Sequence, residues 1–298
     1  MTVITPNKGY NWRSPVSGNF NMQFSFWQCP LCQQPLTLVE RSYVCSNRHS
    51  FDRAKEGYVN LLRLNRKHSA DPGDNKDMLD SRRHFLQQGF YAPLAEAIAN
   101  TIRTHLPDSA QVLSVLDAGC GEGYYLGKLA EQLGAQHGYQ GTDISRTAMR
   151  MAAKQYPQLH FAVASSFELP VADASIDALV RVFAPAADSE MARVLKAGGV
   201  YIWAYPGPQH LFELRQLIYD DPKPHTVEEL PPIDGLQAYP PLQVQYRISL
   251  PDPASIAALL SMTPYYWSAS AEKQHYCQQL QKLELSVDFA VSVWRKPV

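Results

Sequence analysis

Four residues near the start of the chain have the types and the spacing to hold a metal ion. Cys29-Pro-Leu-Cys32 is a C-x2-C knuckle and Cys45-Ser-Asn-Arg-His49 a C-x3-H knuckle, with twelve residues between them. A short knuckle puts two ligands on one tight turn, and a spacer of this length lets a hairpin carry the second pair opposite the first, closing a tetrahedron. Four protein ligands leave no open coordination position. The expected ion is therefore one structural zinc, contributing folding energy to a segment too small for a core of its own. A thioredoxin-like redox pair would need its C-x-x-C at the start of a helix in a βαβ setting. Here Pro30 and Pro35 surround a turn, and Thr37-Leu-Val and Tyr43-Val read as two strands of a hairpin. Zinc on Cys29, Cys32, Cys45 and His49 is the reading carried forward.

A second, independent feature is Asp117-Ala-Gly-Cys-Gly-Glu-Gly123. Gly119, Gly121 and Gly123 remove side chains, so the backbone can turn sharply and approach a ligand closely. Asp117 ends one strand and Asp143 ends the next, about twenty residues after the loop, where an acid hydrogen-bonds ribose hydroxyls. Glu122, inside the loop, would repel the pyrophosphate of a dinucleotide. S-adenosyl-L-methionine has no phosphate and carries a sulfonium and an ammonium, so carboxylates around the loop help it bind. The loop reads as a methyl-donor site rather than an NAD site. Cys120 within it reads as a small filler, and Cys277 as a buried or half-buried thiol.

The elements that must position these residues follow from periodicity. Residues 76 to 105 repeat apolar positions at helical spacing, with Pro93 opening a second segment. From Val112 strands and helices alternate: strands at 112–116, 139–142, 160–164, 176–183 and 200–205, helices at 124–133, 145–156 with Ser145 as N-cap, and 190–195, and a turn at Gly198-Gly199. Segments 242–250 and 285–295 read as two further strands, with helices at 253–260 and 276–283 between them. The order predicts an α/β fold, a Rossmann-like, mostly parallel seven-stranded sheet, with a small zinc-ribbon-like module before it. The expected division is a disordered leader over 1–21, a zinc-binding RNA-recognition module over 22–70, a linker and helices over 71–110 and a methyltransferase domain over 111–298. Met22 is a candidate natural start.

The chain has 298 residues, 45% of them hydrophobic, and a formal net charge of −1. No segment approaches the ~20 apolar residues of a membrane span, and no signal-peptide pattern opens the chain. Five cysteines without an export signal point to reduced thiols and a cytoplasmic location. Between Arg41 and His68 seven Lys or Arg (Arg41, Arg48, Arg53, Lys55, Arg63, Arg66, Lys67) face two acids, Asp52 and Glu56. A basic module on a neutral chain suits a phosphate backbone, or is simply a solvated surface.

With these motifs in view, Asp-Ala-Gly-Cys-Gly-Glu-Gly resembles motif I of class I methyltransferases. From about Phe26 onward the chain resembles the bacterial 23S rRNA guanine-N1 methyltransferases of the RlmA (RrmA) family. The matching stretches are Cys29–Cys32, Phe51-Asp-Arg-Ala-Lys-Glu-Gly-Tyr-Val-Asn-Leu-Leu62, Asp71-Pro-Gly-Asp74, the glycine loop with Tyr124-Tyr125, Val163-Ala-Ser-Ser166 and Tyr205-Pro-Gly-Pro-Gln-His210. The resemblance implies S-adenosyl-L-methionine as donor, N1 of a guanine in a hairpin loop of 23S rRNA as acceptor, and a homodimer whose zinc modules help line an RNA cleft. It also implies cofactor contacts at Tyr91, at Glu122, Gly123 and Tyr124, and at His210.

Methyl transfer to N1 needs a positioned base and removal of its proton. After the fourth strand the chain reads Val182-Phe-Ala-Pro185, without the Asn or Asp and Pro-Pro-Tyr turn of exocyclic-amine methyltransferases. Phe183 is a candidate to stack on a splayed base or to pack in the core. Asp188 and Glu190 are candidate proton acceptors or surface acids, unless no dedicated base exists and a cation stabilises O6. Tyr265-Tyr-Trp267 faces substrate or packs. Arg82-Arg83-His84 reaches RNA phosphates or faces solvent. Two rival functions stand beside this one: a methyltransferase for a small molecule or protein with a purely structural zinc, and a noncatalytic RNA-binding protein.

Overall fold

The computed structural model describes residues 3–5, 27–63, 73–106, 111–225, 231–265 and 269–298. Most of the expected leader, Met22, the linker around 64–72 and Tyr266-Trp267 lie outside the described residues.

In chain order, β1 is Val3–Ile4 and the ribbon consists of β2 (Thr37–Val39), β3 (Ser42–Val44) and β4 (Ser50–Asp52), an antiparallel three-stranded sheet. A two-residue strand β5 (Val59–Asn60) follows, then α1 (Lys76–Gln87) and α2 (Ala92–His105). Asn75 caps α1, its side chain accepting from Met78 N–H, and Pro93 sits in the first turn of α2, where a missing N–H is harmless. The α/β region runs β6 (Ser114–Ala118), α3 (Tyr124–Leu133), β7 (Gly138–Asp143), α4 (Arg146–Gln155), β8 (His160–Val163), β9 (Ile176–Val182), α5 (Asp188–Val194) and β10 (Leu195–Pro206). It ends with α6 (Phe212–Ile218), β11 (Gln237–Leu250), α7 (Pro253–Ser261), α8 (Ala271–Gln279) and β12 (Leu283–Arg295).

The large sheet has the order β1-β11-β12-β10-β9-β6-β7-β8-β5. β12 is antiparallel to both β10 and β11, and the remaining pairings are parallel. Seven strands were expected; the two extra are the two-residue edge strands β1 and β5, too short to show a pattern in sequence. The order reverses between β6 and β9, which places the ligand crevice at the carboxyl ends of those strands.

Ser145 caps α4 as expected, its hydroxyl accepting from Ala148 N–H at 3.2 Å. The last helix, expected over 276–283, is Ala271–Gln279, set by Ser270, whose side chain accepts from Lys273 N–H. The expected turn at Gly198-Gly199 is a bulge inside β10, whose register with β9 shifts between Leu195 and Val200. The helix α6 had no expectation; it begins after Leu211, held at φ +52°.

Two cores cover the sheet. Leu79, Phe85, Leu94, Ile98 and Ile102 of α1 and α2 bury with Leu126, Met149 and Phe289 in the first. Trp27, Leu36 and Tyr43 of the ribbon bury with Leu116, Val171, Tyr201 and Trp294 in the second. Backbone bonds stitch the ribbon on: Gln28 N–H donates to Pro170 C=O at 2.8 Å, and Leu61 N–H to Val163 C=O at 2.9 Å. Among the described residues no helix is long and apolar enough to cross a membrane.

Candidate functional site: a zinc ribbon and an acid-ringed glycine loop

The ribbon brings Cys29, Cys32, Cys45 and His49 together, with one ligand atom from each lying within 4.8 Å of the others. Cys32 Sγ is 3.7 Å from Cys45 Sγ, and His49 Nδ1 is 3.4 Å from Cys29 Sγ and 3.5 Å from Cys45 Sγ. A tetrahedron with zinc–sulfur bonds of about 2.3 Å has edges of about 3.8 Å between sulfurs, and slightly shorter ones to nitrogen. The donor set and its spacing therefore fit zinc held through three sulfurs and His49 Nδ1. The knuckles close because Gln33 and Arg48 take left-handed φ of +60° and +63°, with Gln33 N–H donating to Cys29 C=O and Arg48 N–H to Cys45 C=O. The Gln34 amide holds the Cys32 thiol at a pKa of about 6, which favours the thiolate a metal needs. Of the basic residues noted in sequence, Arg41, Arg48 and Lys55 are exposed. Arg63 is exposed as well, and pairs with Glu168 at 2.6 Å.

The glycine loop lies between β6 and α3. Gly119 and Cys120 N–H both donate to Thr142 C=O, at 2.8 and 2.9 Å, tying the loop to β7. Gly119 has φ +82°, and a Cβ there would fall 2.3 Å from the Ala184 Cβ, so only glycine lets the β9 loop close on it. Asp143 fixes the next turn, accepting from Gly121 N–H at 3.0 Å and from Ser145 N–H at 2.8 Å. Gly123, at φ +85°, precedes α3, whose first residue Tyr124 is buried.

Three carboxyls crowd this loop. Asp117 is 1% exposed, and neither of its oxygens has a hydrogen-bond partner among the described residues. Burial, then Asp143 and Glu122, push its pKa up to about 8. Glu122, also buried, is pushed up to about 7, chiefly by burial and against the pull of Arg82. Asp143 is raised by burial, with the Ser145 and Gly121 amides opposing. A buried, unpartnered carboxyl is costly unless a donor or cation meets it. The ammonium and sulfonium of S-adenosylmethionine are such cations, so the residues present fit that cofactor.

Arg82 is one of three residues, Arg82-Arg83-His84, that the sequence left open between RNA phosphates and solvent. The structure turns it inward. It pairs with Asp74 at 2.5 Å, and its Nη1 stands 3.4 Å from where a Cβ on Gly121 would be. Burial opposes its charge, but Glu122, Asp74 and Asp143 more than compensate and raise its pKa. A helical Arg-Arg pair carries no mark of which member turns toward a loop some forty residues later. Cys120 is buried and its thiol is pushed well up by burial and the three acids, which suits a filler and not a nucleophile.

Tyr91 and His210 meet directly. The Tyr91 hydroxyl is 3.3 Å from His210 Nε2, and His210 Nδ1 accepts from Asp288 N–H at 3.4 Å. That pattern assigns the neutral tautomer with the proton on Nε2, pointing to Tyr91. Burial, then His225 and Arg215, lower His210 to about 3, so it stays neutral. Burial raises Tyr91.

The proton-acceptor candidates fare differently. Glu190 does not open onto the loop: its carboxylate accepts from Leu169 N–H at 2.8 Å and from Arg193 Nη2 at 2.8 Å and Nε at 2.9 Å. Those partners outweigh burial and lower its pKa, making it a poor base; its role is to fasten α5 to the segment before β9. Asp188 is half-committed, accepting from Arg181 Nη1 at 3.1 Å. That guanidinium lies over the Trp203 ring, 3.8 Å from its centroid. Phe183 precedes Ala184, whose Cβ faces Gly119, and keeps 43% of its surface exposed.

Two family models match parts of the chain. The family model described as "RlmA, N-terminal", a zinc ribbon, matches residues 27–70, and one described as "Methyltransferase domain" matches residues 115–199. The Bacillus subtilis protein YxjB, provisionally named a 23S rRNA (guanine-N1)-methyltransferase, is 30% identical over 284 residues, 92% of this chain and 99% of its own. The 23S rRNA (guanine(748)-N1)-methyltransferase of Streptomyces fradiae is 32% identical, covering 89% of this chain and 96% of its own. Likeness of this extent runs through both the ribbon and the α/β region, and the chain therefore belongs to the family of zinc-ribbon, S-adenosylmethionine-dependent 23S rRNA (guanine-N1)-methyltransferases.

Proposed function

We propose that this protein transfers a methyl group from S-adenosylmethionine to N1 of a guanine in a hairpin loop of 23S ribosomal RNA, in the cytoplasm and as a homodimer whose zinc ribbons contact the RNA. The observation that carries the reading is the pairing, in one chain, of a cation-seeking loop with a closed metal ribbon that exposes Arg41, Arg48 and Lys55. Exposed Lys and Arg supply the phosphate attraction, and a loop base is already partly unstacked and cheap to extrude.

The cofactor supplies an electrophilic methyl on a sulfonium, so the protein's tasks are positioning and proton removal. In this reading Asp117 and Glu122 receive the cofactor's cationic groups, Asp143 its ribose hydroxyls, the Gly119–Tyr124 backbone lets it approach closely, and Tyr91 and His210 bound its other side. His210, kept neutral, adds no charge to repel the sulfonium. The bound cofactor would supply an electrophilic methyl group to a guanine N1 held in line with it, and N1 would give up its proton as the new bond forms; of the acids singled out in sequence, Asp188 keeps, among the described residues, only the Arg181 contact at 3.1 Å. Glu190 takes no part in that step.

The test is methyl transfer to unmodified 23S rRNA fragments, read by primer extension, because a methyl on N1 blocks Watson–Crick pairing and stops the polymerase. A stop at one hairpin-loop guanine is the expected result. Transfer to a free metabolite or a protein, with none to rRNA, would replace this reading with the rival one.

A further inference from the structure

Phe183 follows the last residue of β9 and is unusual twice over. Its φ is +54°, in the left-handed region that bulky L-residues avoid, and it keeps 43% of its surface exposed, as does Phe167 at 54%, while Phe85, Phe90, Phe161 and Phe289 are fully buried. The conformation is held on both sides. Phe183 N–H donates to Ala204 C=O at 3.0 Å, continuing the ladder to β10, and Ala184 is the residue that fills the space a Cβ on Gly119 would need. Strain that the surroundings hold in place, next to a ligand loop, is a reason to look for a function.

The ring does not stand alone. Its centroid is 5.5 Å from that of Phe289 and 6.3 Å from that of His210, and those two are 4.7 Å apart. Phe289 and His210 are buried, as is Tyr91, whose ring is 4.9 Å from that of Phe289, so Phe183 is the open end of a larger ring cluster rooted in β12, in the loop after β10 and at the start of α2. It sits at the carboxyl ends of the parallel strands, where this fold places ligands. A firmly backed aromatic face beside a methyl-donor loop is what an extruded nucleobase stacks on.

We infer that Phe183 is the stacking platform for the target base, kept out of the core by its left-handed backbone. The inference rests on the RNA-methyltransferase reading above and names the residue that receives the substrate. It separates from a packing role because the conformation favours glycine: removing the ring should hurt substrate handling without hurting the fold.

The experiment compares wild type with F183A, F183G, F183L, F183Y and F183W. Methyl transfer to the 23S fragment, S-adenosylhomocysteine affinity by calorimetry and the thermal midpoint are read for each. Alanine and glycine should lower kcat/KM for RNA by roughly 10- to 100-fold. Tyrosine and tryptophan should restore it to within a few-fold and leucine should not. Cofactor affinity should stay level throughout, and the midpoint of F183G should be unchanged or higher. Leucine performing as well as tyrosine would reduce the ring to an apolar filler and overturn the inference. So would an alanine variant that loses RNA activity, cofactor affinity and thermal midpoint together. A wild-type enzyme that transfers nothing to the fragment shows itself before any variant is made, and sinks the substrate reading along with this one.

Discussion

The ribbon and the glycine loop both gather charged side chains, and they treat them in opposite ways. At the ribbon the donors form one complete set: three sulfurs and one imidazole nitrogen lie within 4.8 Å of one another, enough to fill every position on a zinc ion. At the loop the acids outnumber the cations. Among the described residues Asp117 has no partner for either oxygen, and the Arg82 guanidinium serves Asp74, Glu122 and Asp143. A closed set is the mark of a structural site, because nothing more can bind without breaking it. An unsatisfied buried set is destabilising by itself and persists where a ligand completes it. The same comparison separates Glu190, saturated by Arg193 and Leu169, from Asp117, which has no hydrogen-bond partner among the described residues.

The largest effect should come from opening the closed site. Zinc binding contributes on the order of 10 kcal/mol to the folding of such modules, so Cys45→Ala or exhaustive chelation should unfold the ribbon. Metal analysis should fall from one zinc per chain to none, with RNA affinity lost far more than cofactor affinity. Equal loss of both would mean that the two regions are not separate devices.

The next effect comes from removing the unsatisfied group. Asp117→Asn should weaken S-adenosylhomocysteine binding by about 10- to 100-fold in calorimetry, the scale of a charge-assisted hydrogen bond. The pH dependence has a definite sign. A carboxyl raised to about 8 in the folded protein holds a proton that the unfolded chain releases above its ordinary pKa of about 4. Folded protein without cofactor therefore binds more protons than unfolded, and this group's contribution to stability declines as pH climbs from about 4 through 8. Cofactor binding runs the other way. A cation prefers the ionised Asp117 and Glu122, so affinity should rise between pH 6 and 8 with proton uptake by the buffer. A flat profile in wild type, or an unchanged one in Asp117→Asn, would break the assignment.

Arg82→Met should act more mildly, lowering cofactor affinity by roughly 3- to 10-fold and moving the pH midpoint of binding upward, since Glu122 and Asp143 lose the charge that lowers them. An unshifted midpoint would leave Arg82 a clamp for Asp74 alone. The smallest catalytic effect belongs to Glu190→Gln. It should destabilise the protein by about 1–3 kcal/mol in denaturant unfolding while leaving kcat near wild type, because the group fastens α5 and handles no proton. A collapse of kcat with stability intact would restore it as a base.

Local pattern alone was enough to place the zinc ligands, the glycine loop, Asp143 at the end of its strand and the Ser145 cap. All of these are set by short spacings, by turn chemistry or by a period of two or 3.6 that a few consecutive residues express. The two-residue edge strands, the bulge in β10 and the start of α6 were not readable, because pairing partners far along the chain create them. Tertiary packing alone decided the rest of the site. It turned Arg82 inward, closed Arg193 over Glu190, left Asp117 without a partner and held Phe183 in a left-handed bend at the surface. Charge balance in a buried cluster depends on which distant groups arrive there, and a linear sequence carries residue types without their neighbours.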